Sequence, residues 1–121
     1  MGNDIREADW KIFREIRVAV LARFCDRILS EVTALANDTA KGSHERYLLV
    51  FKRLKERDDE IAAAFNDFRR STAVRQLAIM HSRGMITNEE IACFSMELQE
   101  SLKVLSDLFR PKKRLGRRRD S

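Results

Sequence analysis

Gly84-Met85-Ile86-Thr87-Asn88-Glu89-Glu90 sets a helix stop directly against a helix start, and this constrains the chain more than any other stretch. Gly84 can enter the left-handed backbone region that ends a helix, because it has no Cβ to clash. His81 and Arg83 precede it, where positive charge complements the negative end of a helix dipole. Thr87 can accept a hydrogen bond from a free backbone N–H of the next helix. Glu90, three residues on, completes a capping box, and Ile86 and Ile91 flank it as a hydrophobic staple. Capping is worth about 1 kcal/mol, so the pivot directs the path of the chain more than it stabilises it.

Hydrophobic spacing makes everything before the pivot helical. Trp10, Phe13, Val20, Leu21, Phe24, Ile28, Val32 and Leu35 recur at intervals of three and four, so helix one is expected from a cap at Asp9 to about Ala36. Arg17 lies within that stripe and must either reach the edge or pair with an acid on a facing helix. After the polar loop Asn37–Gly42, a second stripe comprises Tyr47, Val50, Phe51, Leu54, Ile61, Phe65 and Phe68. Basic Lys52, Arg53, Lys55 and Arg57 followed by Asp58-Asp59-Glu60 argue for a helix end there. The absence of Gly or Pro and the unbroken phase argue for one helix from about Ser43 to Arg83, about 60 Å long, bent near Asp58. Ala73, Val74, Leu77, Ala78, Ile79 and Met80 are apolar almost all round, so this end needs cover on more than one side. Helix three supplies it from Thr87 to about Phe109, through Ile91, Phe94, Leu98, Leu102, Leu105 and Phe109. Ser95 can re-cap it after a short break.

The expected fold is therefore all-α: an elongated antiparallel three-helix bundle with a long central helix over residues 1–109, its core thickest near Phe65, Phe68 and Thr72. A disordered basic tail is expected over 110–121. The pivot resembles the helix–turn–helix hairpin of short C-terminal (SHOCT-type) modules, which carry a Leu-rich helix, Gly-Ile-Ile-Thr and an acidic pair. The likeness spans about 25 residues. Phe94-Ser95 arrives earlier here than in that pattern, and no function is carried over.

Four glycines and one proline are too few for the turns of a β protein. No apolar run approaches the ~20 residues of a membrane span. The polar, acidic start does not read as a signal peptide, and Arg6 stands where myristoylation requires Ser or Thr. Cys25 and Cys93 read as buried small hydrophobes in a reducing, cytoplasmic setting. Two cysteines and two histidines so dispersed offer no zinc site, so no metal or cofactor is expected.

Charge is the strongest functional signal. Residues 110–121 hold Arg110, Lys112, Lys113, Arg114, Arg117, Arg118 and Arg119 against Asp120, a net +6. The other 109 residues hold 17 basic and 18 acidic side chains, a net −1. Such a tail attracts polyanions by counterion release and can hold phosphate bidentately. Arg69, Arg70, Arg75 and Arg83 suggest a second basic face near the pivot. A base-reading helix is argued against by Asn88-Glu89-Glu90, which would put acids against phosphate.

No phosphate loop, dinucleotide turn or nucleophile elbow is present. Neither His44 nor His81 has a nucleophile and acid within local reach, and Asp58-Asp59-Glu60 points in different directions around a helix. No catalytic residue or small-molecule substrate is expected. The leading expectation is a non-enzymatic interaction or regulatory module, with a protein partner or a homodimer formed through Ile12, Ile16 and Ala19. The alternative is a nucleic-acid-binding regulator using the tail and the Arg69–Arg83 face.

Overall fold

A computed structural model describes residues 5–109. Among them the chain forms five helices and no strand: α1 (Glu7–Ala36), α2 (Ser43–Phe65), α3 (Arg70–Ser82), α4 (Asn88–Ile91) and α5 (Met96–Phe109). No described helix is long and apolar enough to cross a membrane. The tail from Arg110 onward lies outside the described residues.

The α1–α2 hairpin closes over the polar loop, where Arg46 donates to the Ala36 carbonyl at 2.6 Å. Helix α1 starts one turn earlier than its expected cap. Arg6 occupies the cap position without a side-chain bond, and Asp9 is buried within the first turn.

The single helix expected from Ser43 to Arg83 is two helices. The chain passes through Asp58 without a break and stops at Phe65. Asn66 turns extended, and Asp67 takes a left-handed φ of +62°. Asp tolerates that region better than most residues because its short polar side chain can bond locally. The reversal is held by side chains of the next helix. Gln76, almost wholly buried, donates to the carbonyl of Asn66 and to that of Asp67 at 3.3 Å. Thr72 Oγ1 donates to the Asp67 carbonyl at 2.6 Å and accepts from the Arg69 N–H at 3.2 Å. Helix α3 then folds back along α2, bringing Arg83 to Glu60 at 3.4 Å.

The pivot forms as its residues predict. Gly84 has φ +71°. The Met85 N–H bonds to the Met80 carbonyl at 2.8 Å and the Gly84 N–H to that of His81 at 3.2 Å. This pair of bonds is the Schellman motif. Thr87 and Glu90 make both capping-box bonds, at 2.9 and 3.0 Å, and Ile86 and Ile91 are buried.

Beyond the pivot the chain departs from the expected antiparallel return. The last turn of α5 lies beside the last turn of α3, with His81 Nδ1 2.7 Å from Ser106 Oγ and Ser82 Oγ donating to the Phe109 carbonyl at 3.2 Å. The other end of α5 is anchored to the first turn of α1. There the Ser95 N–H and Oγ both donate to the Asp9 carboxylate, at 2.9 and 2.7 Å. That turn also meets the start of α3, where Arg70 pairs with Glu7 and lies over Trp10. So α5 runs with α3, not against it, and residues 85–95 carry the chain back along the core. Met85, Ile86, Ile91 and Phe94 are buried on the way. Ser95 re-caps the helix as expected, accepting from the Leu98 N–H at 3.2 Å.

The core centres on α3, whose Ala73, Leu77, Ala78 and Met80 are wholly enclosed by Phe13 and Val20 of α1, Ala64 and Phe65 of α2, and Leu102 of α5. A helix apolar on most sides needs neighbours on most sides, and α3 has them.

Candidate functional site

The four arginines expected to form a basic face are dispersed. Arg69 pairs with Asp67 at 2.6 Å, and that hydrogen bond holds the Asp67 carboxyl below its ordinary range. Arg70 is taken by Glu7 and Trp10. Arg83 is taken by Glu60 at the far end of α3, about 20 Å from Arg70 at 1.5 Å per residue. Arg75 lies over the Phe109 ring at 5.9 Å and has no carboxylate within ion-pair distance among the described residues. Three of the four are thus locally neutralised. Arg110, Lys112, Lys113, Arg114, Arg117, Arg118 and Arg119 lie outside the described residues.

Arg17 settles in neither of its two expected ways. It donates to the Phe65 carbonyl at 2.6 Å and lies over the Phe68 ring at 4.2 Å. Phe65 ends α2, which has no basic residue in its last turn, so a residue of α1 supplies the missing cation. Phe68 in turn stacks on Trp10 at 4.8 Å and meets Phe13 edge-on at 5.7 Å. Burial lowers the Arg17 pKa from its ordinary value.

Two carboxylates tie α1 to its neighbours. Glu31 accepts from Arg57 at 2.8 Å and pairs with Arg53 at 3.4 Å. The Arg57 hydrogen bond, foremost, holds its carboxyl below the usual range. Glu90 accepts from Arg23 at 2.8 Å. Burial pushes Glu90 upward, but the bonds from Arg23 and Thr87 outweigh it and leave its carboxyl lowered.

Two features invite a chemical reading. His81 and Ser106 are 25 residues apart, so local spacing conceals a histidine–serine hydrogen bond. Ser106 is only 4% exposed between α3 and α5, and the pair joins these two helices. Separately, a cleft of about 450 Å³ opens between the first turn of α1, α3 and α5. Val74, Leu98, Leu105 and Phe109 line its apolar part, Arg75 faces it, and the Arg6–Glu97 pair at 2.5 Å borders it. Its serines, Ser71, Ser95 and Ser101, have no histidine beside them in the lining. Among the described residues no group of three or more His, Cys, Asp or Glu is placed to hold a metal ion.

The chain matches no family model, no curated protein and no solved structure. Its functional reading therefore rests on its own residues.

The surface holds the largest surprise. Ile12 and Ile16 are half-buried against the core and only Ala19 of that trio is exposed. Open apolar surface lies on α2, where Tyr47 is 63%, Leu48 48%, Phe51 58% and Leu54 44% exposed. Val18 and Leu29 of α1 and Met96, Val104 and Leu108 of α5 are also open, but only on α2 do four such side chains follow one another along a single stretch of helix. Tyr47, Phe51 and Leu54 have the spacing of core residues, and they would be core if α3 continued alongside them. It ends beside Glu60 instead, so the upper half of the α1–α2 hairpin stands clear of the other helices. Cys93, expected to be buried, is exposed, and Cys25 is half-buried. Both are free thiols.

Proposed function

We propose that this chain is a small non-enzymatic interaction module. Its helical body binds a protein, and its basic tail adds contact to an anionic surface on that partner. One observation carries this reading: half of α2 presents large apolar side chains to solvent at core-type spacing, and contiguous apolar exposure of this kind marks interaction surfaces. A cytoplasmic setting fits two free cysteines.

A nucleic-acid-binding regulator is the second reading. It uses the tail and the Arg69–Arg83 face, where Arg69, Arg70 and Arg83 stand beside acids and Arg75 lies over Phe109. A pull-down with the full chain and with residues 110–121 deleted, each with and without nuclease, distinguishes the two. Partners of an interaction module survive nuclease and are lost with Phe51→Glu. A nucleic-acid regulator loses its captured material on nuclease treatment or tail deletion, whatever residue stands at 51.

A further inference from the structure

We propose that the exposed face of α2 docks against the same face of a second copy of this chain, the two α2 helices running antiparallel across a twofold axis near Lys55 and Glu56. The proposal deepens the interaction-module reading and rests on it.

Three observations choose a second copy over another occupant. The first is the charge order along α2. Lys52 and Lys55 precede Asp58 and Asp59, all four are exposed, and none has an ion-pair partner among the described residues. The other charges of this stretch are already used within the chain: Arg53 on Glu31 and Glu56, Arg57 on Glu31, and Glu60 on Arg57 and Arg83. A basic-then-acidic order is self-complementary only when the partner helix runs the opposite way. Lys52 then meets Asp59 of the other copy, as an isologous interface requires.

The second is shape. Tyr47, Leu48 and Phe51 lie on the N-terminal side of that axis, and exposed Ala62 and Ala63 lie on the other side. Antiparallel docking sets the large side chains of one helix over the small ones of its partner, with Leu54 beside the axis. This is how two helices approach closely without gaps.

The third is size. The four large side chains expose on the order of 400 Å² per copy, taking ~200 Å² for a whole large side chain. Two copies, with the alanines and lysine stems, reach the lower end of the ~1,200–2,000 Å² that specific complexes bury. An interface of that size fits a reversible dimer. The C-terminal stretch is a poor match for this apolar face. Residues 110–121 contain only Pro111 and Leu115 as apolar residues among seven cations.

Sedimentation velocity on the full chain, from low to several hundred micromolar, tests this. The wild type should shift from monomer to dimer across that range. Phe51→Glu should weaken the dimer at least about tenfold, the equivalent of 1.4 kcal/mol. Lys52→Asp and Asp59→Lys should each weaken it about two- to fivefold, as exposed ion pairs do. The double variant carrying both should return to near the wild-type constant, because the swapped charges meet again across the axis. A heterologous surface has no reason to recover in this way. Circular dichroism verifies that each variant is folded. If Phe51→Glu loses its helical signal, the charge-swap series decides alone. A chain monomeric at every concentration overturns the proposal and leaves the interaction-module reading intact, as does a dimer indifferent to all four variants. Loss of every captured partner on nuclease treatment, with dimerisation preserved, removes that reading instead.

Discussion

At the scale of single residues, this protein depends on charged side chains working between helices. Arg17 shows why. Its guanidinium closes a helix end that carries no cation of its own and packs its plane on Phe68. Losing a charged hydrogen bond and a ring contact together should cost about 2–3 kcal/mol for Arg17→Ala. Arg17→Lys should recover only part of this, because an ammonium cannot stack as a planar group does. Urea denaturation of the three proteins gives the comparison. Glu31 and Glu90 add a pH dependence whose sign is set by their lowered pKa values. The unfolded chain binds protons more readily than the folded one, so stability rises with pH. Their contribution is complete above the ordinary glutamate value of 4.5 and is lost as pH falls through the lower folded values. Melting temperature should be flat near neutrality and fall below pH 4.5, and the double variant Glu31→Gln, Glu90→Gln should show a shallower fall.

At the scale of elements, the two reversals differ in how they are encoded. The pivot is local: Gly84, Thr87 and Glu90 contain its whole geometry, and their roles are readable from residue types alone. A Cβ at Gly84 would meet nothing within 4 Å, so Gly84→Ala carries only the backbone cost of left-handed φ. That should lower stability by about 1 kcal/mol in urea melts, with helical content unchanged. The turn at residues 66–69 is not local. Asn66-Asp67 is a turn-compatible pair and the one signal in the sequence, but nothing in it forces a stop. The stop needs Gln76 and Thr72, from the next helix, to take up the freed carbonyls. By dipole logic alone the acidic run at Asp58 is the better boundary. It stays helical because Arg57 and Glu60 find partners on either side, Glu31 and Arg83.

At the scale of the whole molecule, burial is uneven. The lower half packs α3 against α1, α2 and α5, whereas the upper hairpin has one helix against one helix. Two truncations of large apolar side chains should therefore behave differently. Leu77→Ala, at a wholly buried site, should cost about 3 kcal/mol. Phe51→Ala should change monomer stability by less than about 0.5 kcal/mol, measured at concentrations too low for association. Equal losses at both sites would mean that the hairpin face is covered within the monomer.

The amino-acid sequence by itself determined that the described chain is helical, that α1 ends and α2 begins around the Asn37–Gly42 loop, and how the Gly84–Glu90 pivot is built. These depend on period, capping and φ, which act over a few residues. Tertiary structure alone decided that the stripe from Tyr47 to Ile79 divides at Asn66, that α5 runs alongside α3 in the same direction, and that Tyr47, Phe51 and Leu54 face solvent. Periodicity states which side chains share a face of a helix. Whether that face is covered depends on where distant helices end, and here α3 ends at Ser82, too soon to reach it.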